Sequence, residues 1–114
     1  MKLVADIAIA LVALLHFWFM VLEIFLWDTP YGRRTFAMTA EQSAATKTLA
    51  MNQGLYNGFL AAGLAWGLFE PRVAVFFLAC VIVAGVFGAA TASRKILWVQ
   101  ALPGVIALCL VELS

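Results

Sequence analysis

The first long apolar stretch, LVADIAIALVALLHFWFMVLEIFLW at residues 3–27, decides the fold class. It is longer than the roughly 20 residues that an α-helix needs to cross ~30 Å of hydrocarbon. It lacks the period-two alternation of a transmembrane strand, which favours a helix. Asp6 stands where a signal peptide carries basic residues, and no small-residue cleavage site precedes a polar domain. We therefore predict a first membrane span that is retained.

Three further apolar stretches follow, at about residues 49–69, 73–91 and 96–113. The chain is 66% hydrophobic and 11% charged, whereas soluble domains are about 45–50% apolar and about 25% charged. A compact fold of 114 residues cannot hide that much apolar surface, so lipid must be its solvent. We predict an all-α polytopic membrane protein, a single domain over residues 1–114 in which four transmembrane helices form an antiparallel bundle.

The one substantial loop, residues 28–48, separates the first two spans. Thr39 and Gln42 have the spacing of a capping box, which predicts a helix that begins near Ala40. Either the first turns of this helix stand in water or the chain bends before Met51. The side of the membrane that holds this loop carries five Lys and Arg residues, and the other side carries two. The positive-inside rule then places the loop in the cytoplasm and both termini outside.

Few strongly polar residues interrupt the spans, and most of them fall in the cytoplasmic third. Glu23 lies near the inner end of the first span. His16 precedes it by seven residues, which returns it to within about 20° of the same helix face. An ionisable group in a membrane is costly and points to function. We predict a polar cavity, open to the cytoplasm, that binds or transports a small molecule or ion. Its candidate ligand-binding residues are His16, Glu23, Asn52, Gln53, Asn57 and Gln100.

Two other functions remain open. Interhelical hydrogen bonds from amides contribute only ~0.6–2 kcal/mol each, so these residues also suit a structural or accessory subunit. Rows of small residues, such as Gly54, Gly58 and Ala62, allow close helix packing and also permit a homodimer. A membrane enzyme that acts on a lipid-soluble substrate is the less favoured third function.

The sequence predicts no catalytic residue, no metal and no cofactor. A single His cannot form a multi-histidine metal or haem site within one chain. Cys80 and Cys109 lie in apolar runs and are expected to be buried, inert thiols. A net charge of +1 and the lack of a basic run exclude a nucleic-acid partner. Membrane lipid is the expected surrounding partner.

One segment is specific enough to indicate a family, Asn52-Gln-Gly-Leu-Tyr-Asn-Gly-Phe-Leu-Ala-Ala-Gly63. Together with His16, Glu23 and Trp27 in the first span and Gln100 with Pro103 in the last, it resembles the small bacterial membrane family catalogued as domain of unknown function 1304. The resemblance covers essentially the whole chain. It implies a four-span protein of the bacterial inner membrane without an assigned activity. It also implies that the polar residues belong to the family pattern, which favours a site.

Overall fold

Every regular element of the protein is helical. The computed structural model describes the whole chain, residues 1–114. In chain order the elements are α1 (Lys2–Phe25), α2 (Pro30–Thr35), α3 (Ala40–Gly67), α4 (Pro71–Thr91), a π-helical segment (Leu97–Ala101) and α5 (Leu102–Leu113). The predicted all-α class is confirmed, and each of the four apolar stretches overlaps one helical stretch.

Helix α3 begins at the predicted capping box. The Thr39 backbone N–H donates to Gln42 Oε1 at 2.9 Å, and the Gln42 backbone N–H donates to Thr39 Oγ1 at 3.1 Å. The predicted start at Ala40 is therefore confirmed. The helix then runs for 28 residues and is not interrupted before Met51. At 1.5 Å per residue it is about 42 Å long, which exceeds the thickness of the hydrocarbon.

The loop predicted at residues 28–48 contains a short helix, α2. Thr29 caps it, because its Oγ1 accepts the Gly32 N–H at 3.1 Å, and Pro30 occupies the first helical turn. The helix ends in a Schellman motif, in which the Met38 N–H donates to the Arg33 carbonyl at 2.9 Å. The residue in the left-handed position is Ala37, with φ of 53°.

The predicted fourth span begins with a π-helical turn rather than a regular α-helix. Pro103 has no N–H to donate, and the Leu102 N–H reaches back five residues to the Leu97 carbonyl. Gly85 of α4 lies directly against this turn, because a Cβ at that position would be 2.7 Å from the Ala101 nitrogen.

By packing, the chain divides into two compact units, which we call the terminal unit (Met1–Leu14 and Leu60–Ser114) and the central unit (Leu15–Phe59). The terminal unit has one hydrophobic core, drawn from four helices. Its buried members are Ile9, Val12, Leu64, Ala74, Leu78, Val81 and Ala107.

The expectation that both thiols are buried is wrong for Cys109, which is exposed, while Cys80 is half-buried. Cys109 lies on the outward side of α5, which is apolar on that side as well as on the side that packs against the core.

Two helices, α1 and α4, are long and apolar enough to cross a membrane. Only 22% of the most apolar window in each helix is buried within the structure. Helix α3 does not meet the same criterion, and the apolar stretch Leu97–Leu113 is shorter. The amides Asn52, Gln53 and Asn57 lower the hydropathy of the apolar part of α3.

Candidate functional site

The central unit joins two of the predicted site residues, Glu23 of α1 and Asn57 of α3. The Asn57 Nδ2 donates a hydrogen bond to Glu23 Oε1 across 34 residues of sequence. Asn57 is only 7% exposed, and Glu23 is half-buried. Neither Lys nor Arg forms an ion pair with Glu23, since the ion pairs of these residue types are Lys2–Asp6 and Arg33–Asp28. The carboxyl group is thus held by an amide and not by an opposite charge.

Two glycines of α3 allow α1 to approach at this level. A Cβ at Gly54 would lie 2.7 Å from Ile24 Cγ1 and 3.1 Å from Glu23 Cβ. A Cβ at Gly58 would lie 2.8 Å from the Met20 Sδ. Because no side chain separates the helices here, the short Asn57 side chain can reach the carboxyl group of Glu23.

A second polar cluster ties the end of α1 to the start of α3. We call it the junction cluster, and it consists of Trp27, Asp28, Arg33, Ser43 and Thr46. Asp28 Oδ1 accepts from Ser43 Oγ at 2.7 Å and from Arg33 Nη1 at 3.0 Å. The Trp27 Nε1–H donates to Thr46 Oγ1 at 2.9 Å. These bonds connect the chain segments that flank α2.

The junction cluster alters the acidity of Asp28. The hydrogen bond from Ser43 holds the pKa of Asp28 below its ordinary value, and the positive charges of Arg33 and Lys47 act in the same direction. Asp28 is therefore ionised at neutral pH and acts as the acceptor at the centre of the cluster.

The other predicted site residues differ in burial and in the element that carries them. His16 is fully buried in the central unit, and its ring contacts Phe19 edge-on at 5.2 Å. Asn52 and Gln53 are exposed, and the Asn52 Nδ2 donates to the Thr48 carbonyl of its own helix at 3.2 Å. Gln100 is half-buried in the π-helical segment of the terminal unit.

The sequence prediction missed the junction cluster, because it placed no helix between Asp28 and Thr39. Ser43 is fully buried in the first turns of α3 and does not lie in a loop. The pair Thr29-Pro30 carried a usable signal, since a capping Thr before a Pro marks a helix start. That helix brings Arg33 back to Asp28.

The buried polar groups of the protein are all hydrogen-bonded: no buried side-chain nitrogen or oxygen lacks a partner. No group of three or more His, Cys, Asp or Glu side chains is placed to hold a metal ion. The carboxylate of Glu23 has spare acceptor capacity, because a carboxylate has about four lone-pair sites and Asn57 uses one.

Comparison with known proteins identifies the family. The family model described as "Protein of unknown function (DUF1304)" matches residues 10–112. The Uncharacterized protein YpaA of Lactococcus lactis subsp. lactis (strain IL1403) is 31% identical over 106 residues, which covers 88% of this chain and 89% of YpaA. No solved structure matches. The chain belongs to the DUF1304 family, and the resemblance seen in the sequence is confirmed.

Proposed function

We propose that this member of the DUF1304 family is an integral inner-membrane protein that binds or transports a small monovalent cation at Glu23. The observation that carries the proposal is the half-buried carboxyl group of Glu23, which has Asn57 as a hydrogen-bond donor but no Lys or Arg as a counter-ion. Ionisable groups within membranes are costly and mark ion or substrate pathways. A bound cation would supply the missing positive charge.

The membrane part of the proposal is supported by the surfaces of the long helices. Large apolar side chains project outward from all of them, including Leu11, Phe17, Leu55, Phe59, Phe76, Phe87, Val105 and Ile106. In water such surfaces would cause aggregation, whereas in a bilayer they contact lipid. The proposed spans are α1, α3 from about residue 49, α4 and Leu97–Leu113, arranged as an antiparallel bundle with loop 28–48 in the cytoplasm.

The chemistry of the site favours a monovalent over a divalent ligand. Divalent cations such as Ca²⁺ take six to eight oxygen ligands and usually several carboxylates. Here a single carboxyl group is accompanied by a neutral amide. One negative charge in a partly buried position matches one positive charge, carried by an inorganic ion or by a small organic cation.

Calorimetric titration of the protein in nanodiscs tests this function, with Na⁺, K⁺ and tetraphenylphosphonium as probes. We expect at least one probe to bind the wild type and Glu23→Gln to weaken its binding at least about tenfold, because the amide cannot supply the negative charge. The unfolding temperature should change little. Glu112→Gln is the matched control, since Glu112 is exposed near the end of α5. Equal binding by both variants, or no binding of any probe to the wild type, would contradict the proposal.

A structural or accessory subunit is the second candidate function. It is favoured by the complete satisfaction of buried polar groups and by the close packing of α1 on Gly54 and Gly58. The variant Asn57→Leu separates the two functions. An accessory subunit should lose assembly and stability, whereas a cation site should lose binding while the protein still elutes as the same species in size-exclusion chromatography.

A further inference from the structure

We propose that the surface beside the junction cluster binds the phosphate of an anionic phospholipid headgroup through Arg34 and Lys47. This site is separate from Glu23 and rests on the proposed function only for its membrane embedding. Three features of α2 support this site: its fixed position, the aromatic rings around it and the positive charges that no carboxylate neutralises.

Helix α2 is fixed against the end of α1. A Cβ at Gly32 would lie 2.0 Å from the Leu26 carbonyl oxygen and 2.5 Å from that of Trp27, so only glycine allows this approach. The Phe36 ring packs on Trp27 with a centroid distance of 4.7 Å. The short helix is therefore a rigid platform and not a free loop.

Exposed aromatic rings border this platform. The Tyr31 ring makes an edge-on contact with Trp18 at 6.4 Å. The exposed fractions are 42% for Trp18, 45% for Tyr31 and 40% for Phe36. Half-exposed Tyr side chains beside a span are typical of the boundary between hydrocarbon and headgroups, and Tyr31 and Phe36 both follow the end of α1.

The charges next to these rings are not balanced. Arg33 forms an ion pair with Asp28, and Lys47 also acts on the same carboxylate through its charge. Arg34 and Lys47 are exposed, and neither forms an ion pair. Arg33 and Lys47 thus both act on the one carboxylate of Asp28, and Arg34 has no ion pair, so positive charge remains for an anion. Guanidinium and ammonium groups both bind phosphate.

A phosphate could come from a lipid headgroup or from a free anion. The exposed rings of Tyr31 and Phe36 favour the lipid, because a soluble phosphate gains nothing from apolar surface beside the charges. We therefore commit to an anionic phospholipid such as phosphatidylglycerol as the ligand.

The test measures the unfolding temperature of delipidated protein in detergent after addition of phosphatidylglycerol, phosphatidylcholine or inorganic phosphate. We expect phosphatidylglycerol to stabilise the wild type by several degrees more than phosphatidylcholine. The double variant Arg34→Gln with Lys47→Gln should lose at least about half of that difference. The charge-preserving pair Arg34→Lys with Lys47→Arg should retain it. The control is Arg94→Gln with Lys95→Gln, an exposed basic pair in another loop, which should also retain it.

Three results would overturn the lipid site alone: equal stabilisation by both lipids, equal losses in the two Gln double variants, or equal stabilisation by inorganic phosphate. A wild-type protein that stays monomeric in buffer without detergent would overturn the membrane embedding and the proposed function with it.

Discussion

Ala37 occupies a backbone position that usually belongs to glycine. Its φ of 53° lies in the left-handed region, at the end of α2. A side chain in this conformation destabilises the fold by roughly 1–2 kcal/mol. Glycine removes that strain, but it also increases the conformational entropy of the unfolded chain, so the net gain in stability is smaller. We expect Ala37→Gly to raise the free energy of unfolding by about 0.5–1 kcal/mol. Denaturant titration in detergent micelles measures it.

The control for this prediction is Ala45→Gly, in the exposed part of α3. A glycine inside a helix should lower the free energy of unfolding by about 0.5–1 kcal/mol. If both variants lowered the free energy of unfolding, this result would contradict the backbone strain inferred at Ala37.

The sequence predicted Glu23 as a site residue but did not predict which amide side chain donates a hydrogen bond to it. Asn52, Gln53 and Asn57 lie within two turns of one helix, and all three are amides. The rotation of α3 about its axis decides which amide meets α1. That rotation follows from the contacts of Gly54 and Gly58 with the side chains of α1, which a single sequence does not specify.

At the scale of elements, the close contact between α1 and α3 depends on Gly54 more than on Gly58. A Cβ at Gly54 would press on Ile24 and on the root of Glu23, including the backbone nitrogen of Ile24 at 3.3 Å. We expect Gly54→Ala to lower the free energy of unfolding by about 1–3 kcal/mol, because the helices must separate. Thermal unfolding followed by circular dichroism measures the change.

Gly58→Ala serves as the matched control on the same helix. Its Cβ would meet only the Met20 side chain, with Sδ at 2.8 Å and Cγ at 3.6 Å, and this flexible side chain can rotate away. The variant should therefore cost clearly less than Gly54→Ala. If both variants lowered the free energy of unfolding equally, the packing of α1 on α3 would not depend on Gly54.

The junction cluster should make the protein sensitive to acid. The folded state lowers the pKa of Asp28 below its ordinary value of 3.8, so the ionised form stabilises the fold above that pH. This contribution is lost as the pH falls through the lower pKa of the folded state. We expect Asp28→Asn to reduce the unfolding temperature at pH 7, and the difference from wild type to shrink in acid, below the ordinary pKa of Asp28.

Ser43→Ala tests the cause of this pH dependence. The hydrogen bond from Ser43 contributes most to the lowered pKa, so its removal should flatten the pH profile of the unfolding temperature while Arg33 remains in place. A profile identical to that of the wild type would contradict this assignment.

Helix boundaries were predictable where local signals act alone, as at the capping box of Thr39 and Gln42. The π-helical turn at Leu97–Ala101 was not predictable in this way. Pro103 indicates a missing hydrogen bond, but the wider turn also requires the close approach of Gly85 to Ala101, which is a contact between helices. The spacing of residues within one segment does not indicate which other helix that segment will contact.

At the scale of the whole molecule, composition alone indicated a helical protein with lipid as its solvent. The mean hydropathy of +1.05 and the continuous apolar runs predicted helices, and helices are what the structure contains. Membrane insertion and orientation depend on the bilayer and on the charges that flank each span, so they stay predictions.

The orientation prediction rests on the five-to-two distribution of Lys and Arg. A reporter enzyme fused after Ser114 should be active outside the cytoplasm, and a reporter inserted in loop 28–48 should be active inside it. The opposite pattern would reverse the predicted orientation but leave the Glu23–Asn57 pair unchanged.

The most direct test of the central claim is carbodiimide labelling of carboxyl groups in native membranes, read out by mass spectrometry of peptides. Lipid-soluble dicyclohexylcarbodiimide should modify Glu23, and the cation that binds in nanodiscs should protect this residue. Glu41, exposed in the first turn of α3, should react only with a water-soluble carbodiimide and without protection. An unmodified Glu23, or labelling of Glu23 that no cation changes, would contradict a membrane-embedded cation site.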